Sequence, residues 1–326
     1  MRAAICHRYG PPENVEVTEL PNPVAGEGEI VVDIHAAAVN FPDVLMIANK
    51  YQLPMPLPYV PGAELAGVVR SVGTGSDLSV GDRVYGLLPG GGAFAEQAVL
   101  PATEVTPIPA GMEYAEAAAS GVTYQTALHA LRSVARVQPG EWIVVLGAAG
   151  GVGSATLDIA RLLGAKTVAV VSDAEKARWC RTRGATAAID YSCEDLRERI
   201  REATGGGADV VIDPVGGNLS EPCLRSMRRG GRFVTLGFAS GTIPALPLNL
   251  ILLKGVTVMG MEMRTFPEHA PEQSRSDRQE LRRLLAQGLI RPHIGARFDL
   301  DSTAAALRYV ADRRALGKVV IDIVRE

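Results

Sequence analysis

Gly147-Ala-Ala-Gly150-Gly151-Val152-Gly153 is the segment of this sequence best built to hold an anion. It follows a continuous apolar run, Trp142 to Leu146, and opens an amphipathic stretch. Glycines permit a tight turn and let the backbone come close to a phosphate. A helix starting there turns unpaired N–H groups and partial positive charge toward it. Glycine-rich turns also serve plain helix–strand packing. Here strand, loop and helix come in the required order and a second apolar run follows at 167–171, which points to a dinucleotide pyrophosphate.

The end of that second run chooses the dinucleotide. A carboxylate there grips a ribose 2′-hydroxyl, as in NAD, whereas a 2′-phosphate wants no carboxylate and nearby basic groups. The chain reads Val170-Val171-Ser172-Asp173, with Lys176 and Arg178 just beyond. Ser172 is small and neutral and Lys176 lies within one helical turn, which favours NADPH over NADH. Asp173 is the complication: aimed at the ribose it selects NADH, and as the N-cap of the next helix it selects nothing.

These groups need a scaffold. The chain has 326 residues, 47% hydrophobic but only 5% aromatic, so its core is built from Val, Leu, Ile and Ala. That suits buried parallel strands under helices. Residues 1–123 hold short apolar runs such as Glu29–Ile34, Leu65–Val72 and Asp82–Tyr85, cut by Pro61-Gly62, Gly73-Thr-Gly75 and Pro89 to Gly92. Such spacing predicts an irregular β-barrel. An Ala-rich helical stretch runs from Tyr114 to Arg136. Residues 124–263 then alternate strands at 142–147, 167–171, 187–190, 209–213, 232–237 and 256–261 with helices at 152–163, 174–183, 195–203 and 218–228. Alternation of this kind gives a doubly wound parallel sheet of the Rossmann type, because parallel strands need crossovers. Residues 264–326 read as a polar loop from Thr265 to Asp277, helices at 278–287 and 302–313, and a closing strand from Lys318 to Val324. This tail is expected to pack back onto the barrel.

Several function classes fall away. With a net charge of −3 and no basic block, nucleic acid and acidic membranes are poor partners. The first residues lack the apolar run of a signal peptide, and no stretch of about 18 apolar residues could span a bilayer, so the cytoplasm is the expected compartment. Cys6, Cys180, Cys193 and Cys223 are scattered without CxxC spacing and read as reduced thiols. His7, His35 and His129 each lack a second ligand at metal spacing.

The motifs Ala37-Ala-Val-Asn40-Phe-Pro-Asp43, Pro61 to Gly67, Val80-Gly-Asp-Arg-Val84, Gly147 to Gly153, Ile189-Asp-Tyr191, Asp213-Pro-Val-Gly-Gly217, Gly230-Gly-Arg232 and Gly317-Lys-Val-Val-Ile321 follow one another along the whole chain. In order and spacing the sequence resembles the zinc-independent medium-chain dehydrogenases/reductases, specifically the quinone oxidoreductase (zeta-crystallin-like) group. The resemblance implies a GroES-like barrel formed from both chain ends and a central Rossmann domain. It implies that Ser172, Lys176 and Tyr191 form a 2′-phosphate pocket. Asn40 and Thr123 then match positions beside a nicotinamide, and Gly237-Phe238 the turn that closes over it. Zinc-dependent relatives carry Cys at the position of Asn40 and His at that of Ala63, so no catalytic zinc site is expected here. Leu45 replaces a tyrosine of several members and implies a more apolar pocket. Asp158 replaces a common Gln, a change with no assigned role.

Hydride chemistry belongs to the cofactor; the protein orients, polarises and keeps the pocket dry. Hydride addition to a quinone, enone or alkenal leaves negative charge on oxygen. Asn40, Tyr51 and Thr123 are the candidates to steady it or to deliver a proton, with water as the alternative proton source. Asp43 reads as a helix N-terminal residue that orients its neighbours, and Glu64 as a residue serving the Pro61–Gly67 turn. The runner-up activity is an enoyl-thioester reductase, which needs a basic patch; Arg264 and Arg297 keep it open. A non-enzymatic, crystallin-like NADPH-binding protein is the alternative from another class. Val256 to Met263 is an apolar edge strand, and such edges invite pairing, so a two-fold homodimer is expected.

Overall fold

The computed structural model describes residues 1–52 and 54–324. Its first strands, β1 (Arg2–Cys6) and β2 (Val15–Glu19), form an antiparallel pair. β3 (Glu29–Val39) is the spine of the first sheet, with Ile30, Val32 and Ile34 fully buried along one edge of its pleat. It ends at Asn40, where α1 (Phe41–Ile47) begins with Pro42 in its first turn. β4 (Glu64–Val72), β5 (Arg83–Leu87), β6 (Gln97–Pro101), β7 (Val105–Pro107) and the short α2 (Tyr114–Ala118) follow. β3 pairs antiparallel with both β4 and β6. The β3–β4 register shifts between Ile34 and Ala36, and there a Cβ on Gly67 would lie 2.0 Å from the Asp33 carbonyl oxygen, so only glycine fits.

α3 (Gly121–Leu128) runs into a π-helical turn, His129–Val134. Five strand–helix pairs then alternate: β8 (Trp142–Leu146), α4 (Gly151–Leu162), β9 (Lys166–Val171), α5 (Ala174–Thr182), β10 (Ala187–Asp190), α6 (Leu196–Thr204), β11 (Ala208–Asp213), α7 (Ser220–Arg225), β12 (Met227–Thr235) and α8 (Leu248–Lys254). β13 (Thr257–Gly260) closes the sheet at one edge. All six strands are parallel, in the order β10-β9-β8-β11-β12-β13. Their inner residues are almost uninterruptedly apolar because helices cover both faces. The helix expected at 218–228 is shorter, since β12 already starts at Met227, and the Lys254 ammonium holds the junction by donating to the carbonyls of Arg225 and Met227 at 2.7 Å each.

The segment read from sequence as a polar loop, Thr265 to Asp277, is instead helical: α9 (Phe266–His269) and α10 (Pro271–Ala286). Two of its polar residues turn inward. Ser274 and Asp277 are buried beside Leu281, Leu284 and Leu285. The Asp277 carboxylate accepts from His129 Nδ1 at 2.8 Å, from the Ser133 hydroxyl and from Arg132 at 3.3 Å. These bonds tie α10 to the π-helical turn, so residues 264–290 pack with the parallel-sheet unit, Thr123–Ile290. The expected boundary at residue 264 therefore moves to Arg291.

β14 (Ile294–Asp299), α11 (Thr303–Ala311) and β15 (Lys318–Asp322) return to the first unit, Met1–Val122 with the chain from Arg291 onward. β15 lies antiparallel to β3 and parallel to β14, giving the sheet order β14-β15-β3-β4-β5-β7 with β6 also on β3. Among the described residues, no helix is long and apolar enough to cross a membrane.

Asp277→Ala strands a buried imidazole and a half-buried hydroxyl, and should lower the unfolding free energy by about 3 kcal/mol. Equilibrium urea unfolding reads this, and a loss below about 1 kcal/mol would mean that the leucines alone dock α10.

Candidate functional site

In the parallel-sheet unit, the strand order leaves a switch point between β8 and β11, where the chain departs to opposite sides and ligands bind in such sheets. The glycine turn sits there. Gly147 has φ +61°, and the Gly150 N–H donates to its carbonyl at 2.9 Å. A Cβ on Gly153 would lie 2.2 Å from the Gly147 oxygen and 2.5 Å from Ala148 Cα, so only glycine lets α4 start this close to the strand. Gly150 is the N-cap, and the first-turn N–H groups of Gly151, Val152 and Gly153 are those a helix leaves without internal partners.

Ser172 follows β9 and Tyr191 follows β10; strand pairing brings them together, with the Tyr191 N–H on the Val171 carbonyl at 3.0 Å. Asp173 is the N-cap of α5, accepting from the Lys176 N–H at 2.8 Å. The Lys176 ammonium donates to Ser172 Oγ at 2.8 Å and lies 3.1 Å from Asp173 Oδ2, to which the Ser172 hydroxyl also donates at 3.0 Å. Burial pushes the Asp173 carboxyl up, but hydrogen bonds from Lys176 and Ser172 outweigh it and hold the group below its usual range. Of the two uses the sequence left open for Asp173, the structure has the cap.

Across the switch point, the buried Asp213 carboxylate accepts from the N–H groups of Val215 and Gly216 at 2.8 and 2.7 Å and from Ser220 Oγ at 2.6 Å. The segment after β12 runs along that turn: Leu236, Ala239 and Ser240 donate to the carbonyls of Asp213, Pro214 and Val215. Gly237-Phe238 is thereby fixed, and a Cβ on Gly216 would meet the Phe238 ring at 2.9 Å. Sequence reading had Asp213 only as part of a motif; an acid before Pro-Val-Gly-Gly is the signal for this turn. The candidate cofactor residues thus gather at the carboxyl end of one sheet. Asp158, which had no role, accepts from the buried Tyr124 hydroxyl at 2.7 Å and from Arg183 at 2.8 Å, joining α3 to α4 and to the end of α5.

The barrel unit gathers a second constellation. Asn40, Asp43, Glu64 and Lys318 are 6, 1, 1 and 3% exposed. Asn40 Nδ2 donates to Glu64 Oε1 at 2.9 Å, and its Oδ1 accepts from Lys318 Nζ at 2.6 Å. Lys318 also reaches Glu64 Oε1 at 2.7 Å, and Glu64 Oε2 accepts from the Val122 N–H at 2.7 Å. Asp43 accepts from the Asn40 N–H at 2.7 Å, as expected of an orienting residue in the first turn of α1. Burial pushes its carboxyl up to about 7, with the Glu64 charge adding to the rise and Lys318 and the N–H groups of Asn40 and Gly62 opposing it. Glu64 therefore does more than serve its turn. Lys318 was missed as a site residue; a lysine opening the closing apolar strand was the available signal. Tyr51 lies half-buried in the loop after α1, and Thr123 lies buried in the first turn of α3.

A GroES-like barrel with the sheet order above and a doubly wound sheet carrying a glycine turn at its switch point define a medium-chain dehydrogenase/reductase. Residues 26–110 match the alcohol dehydrogenase GroES-like domain, and residues 151–282 match the zinc-binding dehydrogenase family. Quinone oxidoreductase-like protein 2 of Bos taurus is 38% identical over 99% of this chain and 92% of its own. A 2-haloacrylate reductase of a Burkholderia species is 32% identical over 98% of both chains. The crystal structure of Escherichia coli quinone oxidoreductase complexed with NADPH superposes with a TM-score of 0.91 at 30% identity, covering 99% of this chain and all of that one. The chain belongs to the quinone oxidoreductase family and is an oxidoreductase.

The Asp43 carboxyl gives the stability a pH signature. Between about 4, its ordinary value, and about 7, its folded value, the folded chain keeps a proton that the unfolded chain has released. Stability should fall as pH rises through that window and level off above it. Asp43→Asn should flatten this slope by about one proton in urea unfolding; a variant with the parent's slope would show that the proton resides elsewhere.

Proposed function

We propose that this oxidoreductase transfers a hydride from NADPH to quinones or small conjugated carbonyls without a metal. The observation that carries the cofactor choice is the Ser172–Lys176 pair beside an Asp173 committed to capping α5. NADPH supplies the hydride when bound. The first-turn amides of α4 would hold its pyrophosphate, and the missing Cβ of Gly153 lets that helix start close against the turn after β8. Lys176 would meet the 2′-phosphate as a point charge and Tyr191 as a hydroxyl donor. Gly237-Phe238 would close over the nicotinamide.

Acceptor reduction leaves negative charge on oxygen, and the hydroxyls of Thr123 and Tyr51 are the donors suited to it, with water completing the proton transfer. The names of the relatives support acceptors with an activated C=C or C=O. Asn40 and Ala63 offer neither thiolate nor imidazole, so zinc has no ligand set at those positions. Both arginines that kept a thioester reductase open are occupied: Arg297 pairs with Glu113 and Asp322, and Arg264 lies 3.9 Å from Glu262. We also infer a homodimer. Leu248, Leu252 and Leu253 of α8 stand exposed near the chain's edge strand β13, where Val258 is also exposed.

NADPH oxidation should be seen with an ortho-quinone or an alkenal and be weak with crotonyl-coenzyme A. Lys176→Ala loses a charge-assisted bond of about 1.5–3 kcal/mol, which is about ten- to a hundredfold in the NADPH Michaelis constant. NADH kinetics and the maximal NADPH rate should hold. Equal effects on NADPH and NADH would sink the pocket assignment. If wild type prefers NADH and Asp173→Ala weakens NADH alone, Asp173 grips the ribose instead. For assembly, light scattering at micromolar concentration should give twice the chain mass, and a monomer would exclude pairing through β13.

A further inference from the structure

The Asn40 amide is fully engaged within the barrel unit. An amide has two N–H donors and one carbonyl. Its Nδ2 gives to Glu64 Oε1 at 2.9 Å and to the Ala38 carbonyl at 3.4 Å, while its Oδ1 takes the Lys318 ammonium at 2.6 Å. Lys318 has three N–H bonds, and they meet Asn40 Oδ1, Glu64 Oε1 at 2.7 Å and the Val39 carbonyl at 3.4 Å. Both Glu64 oxygens face donors, Asn40 and Lys318 on one side and the Val122 N–H on the other.

Burying an ion pair this deeply is expensive, and apolar side chains of similar size would stabilise a barrel as well or better. Charge adds orientation. The lysine fixes which end of the Asn40 amide faces which way, and the carboxylate fixes both that amide and the second residue of α3. A glutamine at position 64 could not do the same, because one of its ends would set an NH2 against another N–H. The network thus joins the end of β3, the start of β4, the start of β15 and the first turn of the helix in which Thr123 is the next residue.

Resting on the hydride-transfer reading above, we propose that Glu64 and Lys318 are positioning residues for the reaction. They clamp Asn40 and the start of α3, and Asn40 serves through the backbone it holds rather than as a donor to the acceptor.

The test compares Glu64→Gln, Lys318→Met, the double variant and Asn40→Asp in the full-length protein, reading Tm, NADPH affinity by fluorescence, and kcat. Lys318→Met strands the Glu64 carboxylate, so the double variant should melt above it. Glu64→Gln and the double variant should lose about ten- to a hundredfold in kcat, the scale of a misplaced reacting group, with NADPH affinity unchanged. Asn40→Asp sets a second carboxyl against Glu64, facing Lys318 and near Asp43. A proton shared between the two carboxyls replaces the lost N–H, so its Tm and kcat should recover together from about pH 8 to about pH 6, with a rise in Tm larger than the one Asp43 gives the parent. A double variant with parental kcat, loss of kcat and NADPH affinity in equal proportion, or recovery of kcat in Asn40→Asp without Tm would each overturn the clamp. If no acceptor is reduced although NADPH binds, the reductase reading fails; the Tm coupling of Lys318 with Glu64 needs no acceptor and tests the clamp by itself.

Discussion

A buried ammonium cannot be left alone: removed from water, it must meet its charge and its N–H bonds with protein groups. Lys318 meets them with Asn40, Glu64 and the Val39 carbonyl. Because Lys318 opens β15, this requirement fixes where the closing strand joins the sheet, and the antiparallel Val319–Val39 pairing follows from it. The same requirement reaches the β3–α1 junction through Asn40 and the start of α3 through Glu64. Apolar packing of Ile30, Ile34, Leu65 and Ile321 supplies most of the barrel's stability. Packing alone leaves register and side-chain orientation less defined than a charge with fixed partners does.

The parallel-sheet unit depends on a different constraint, namely how near a helix can start to the strand before it. Gly153 against Gly147 settles that distance. Everything useful then collects at the carboxyl ends of the strands, since each crossover begins there. Asp213 illustrates the economy of this end: one carboxylate fixes the turn after β11, and that turn carries the segment after β12. The site's chemistry is consequently sparse. Its polar groups are mostly backbone N–H groups and hydroxyls, which suits a reaction in which the reactive atom comes with the cofactor.

Much of this was legible in the sequence. The strands alternate with helices at the spacing of a doubly wound parallel sheet, and the glycine turn stands in its proper place between the first strand and helix. Two things were not legible. Glu64 and Lys318 lie 254 positions apart, and nothing local marks either as the partner of the other. The stretch from Thr265 to Asp277 looked like a loop because Ser274 and Asp277 are polar. The partners of Asp277, namely His129, Ser133 and Arg132, lie on a helix far away in sequence, so at that position polarity that reads as solvent exposure was in fact inward pairing. The misplaced boundary at residue 264 has the same origin.

The proposed preference for NADPH turns on one carboxylate, Asp173, being used elsewhere. To bind a ribose 2′-hydroxyl it would have to point out from the strand end as an acceptor. Here its Oδ1 is held by the Lys176 N–H and its Oδ2 faces Ser172 and the Lys176 ammonium. The groups that neutralise it are those a 2′-phosphate would call on. A dianionic phosphate outcompetes a single carboxylate for one lysine because it offers more charge and more acceptor oxygens. Asp173 keeps its backbone bond to α5 in either case. On the proposed reading, the lysine can therefore transfer its allegiance to a phosphate without uncapping the helix.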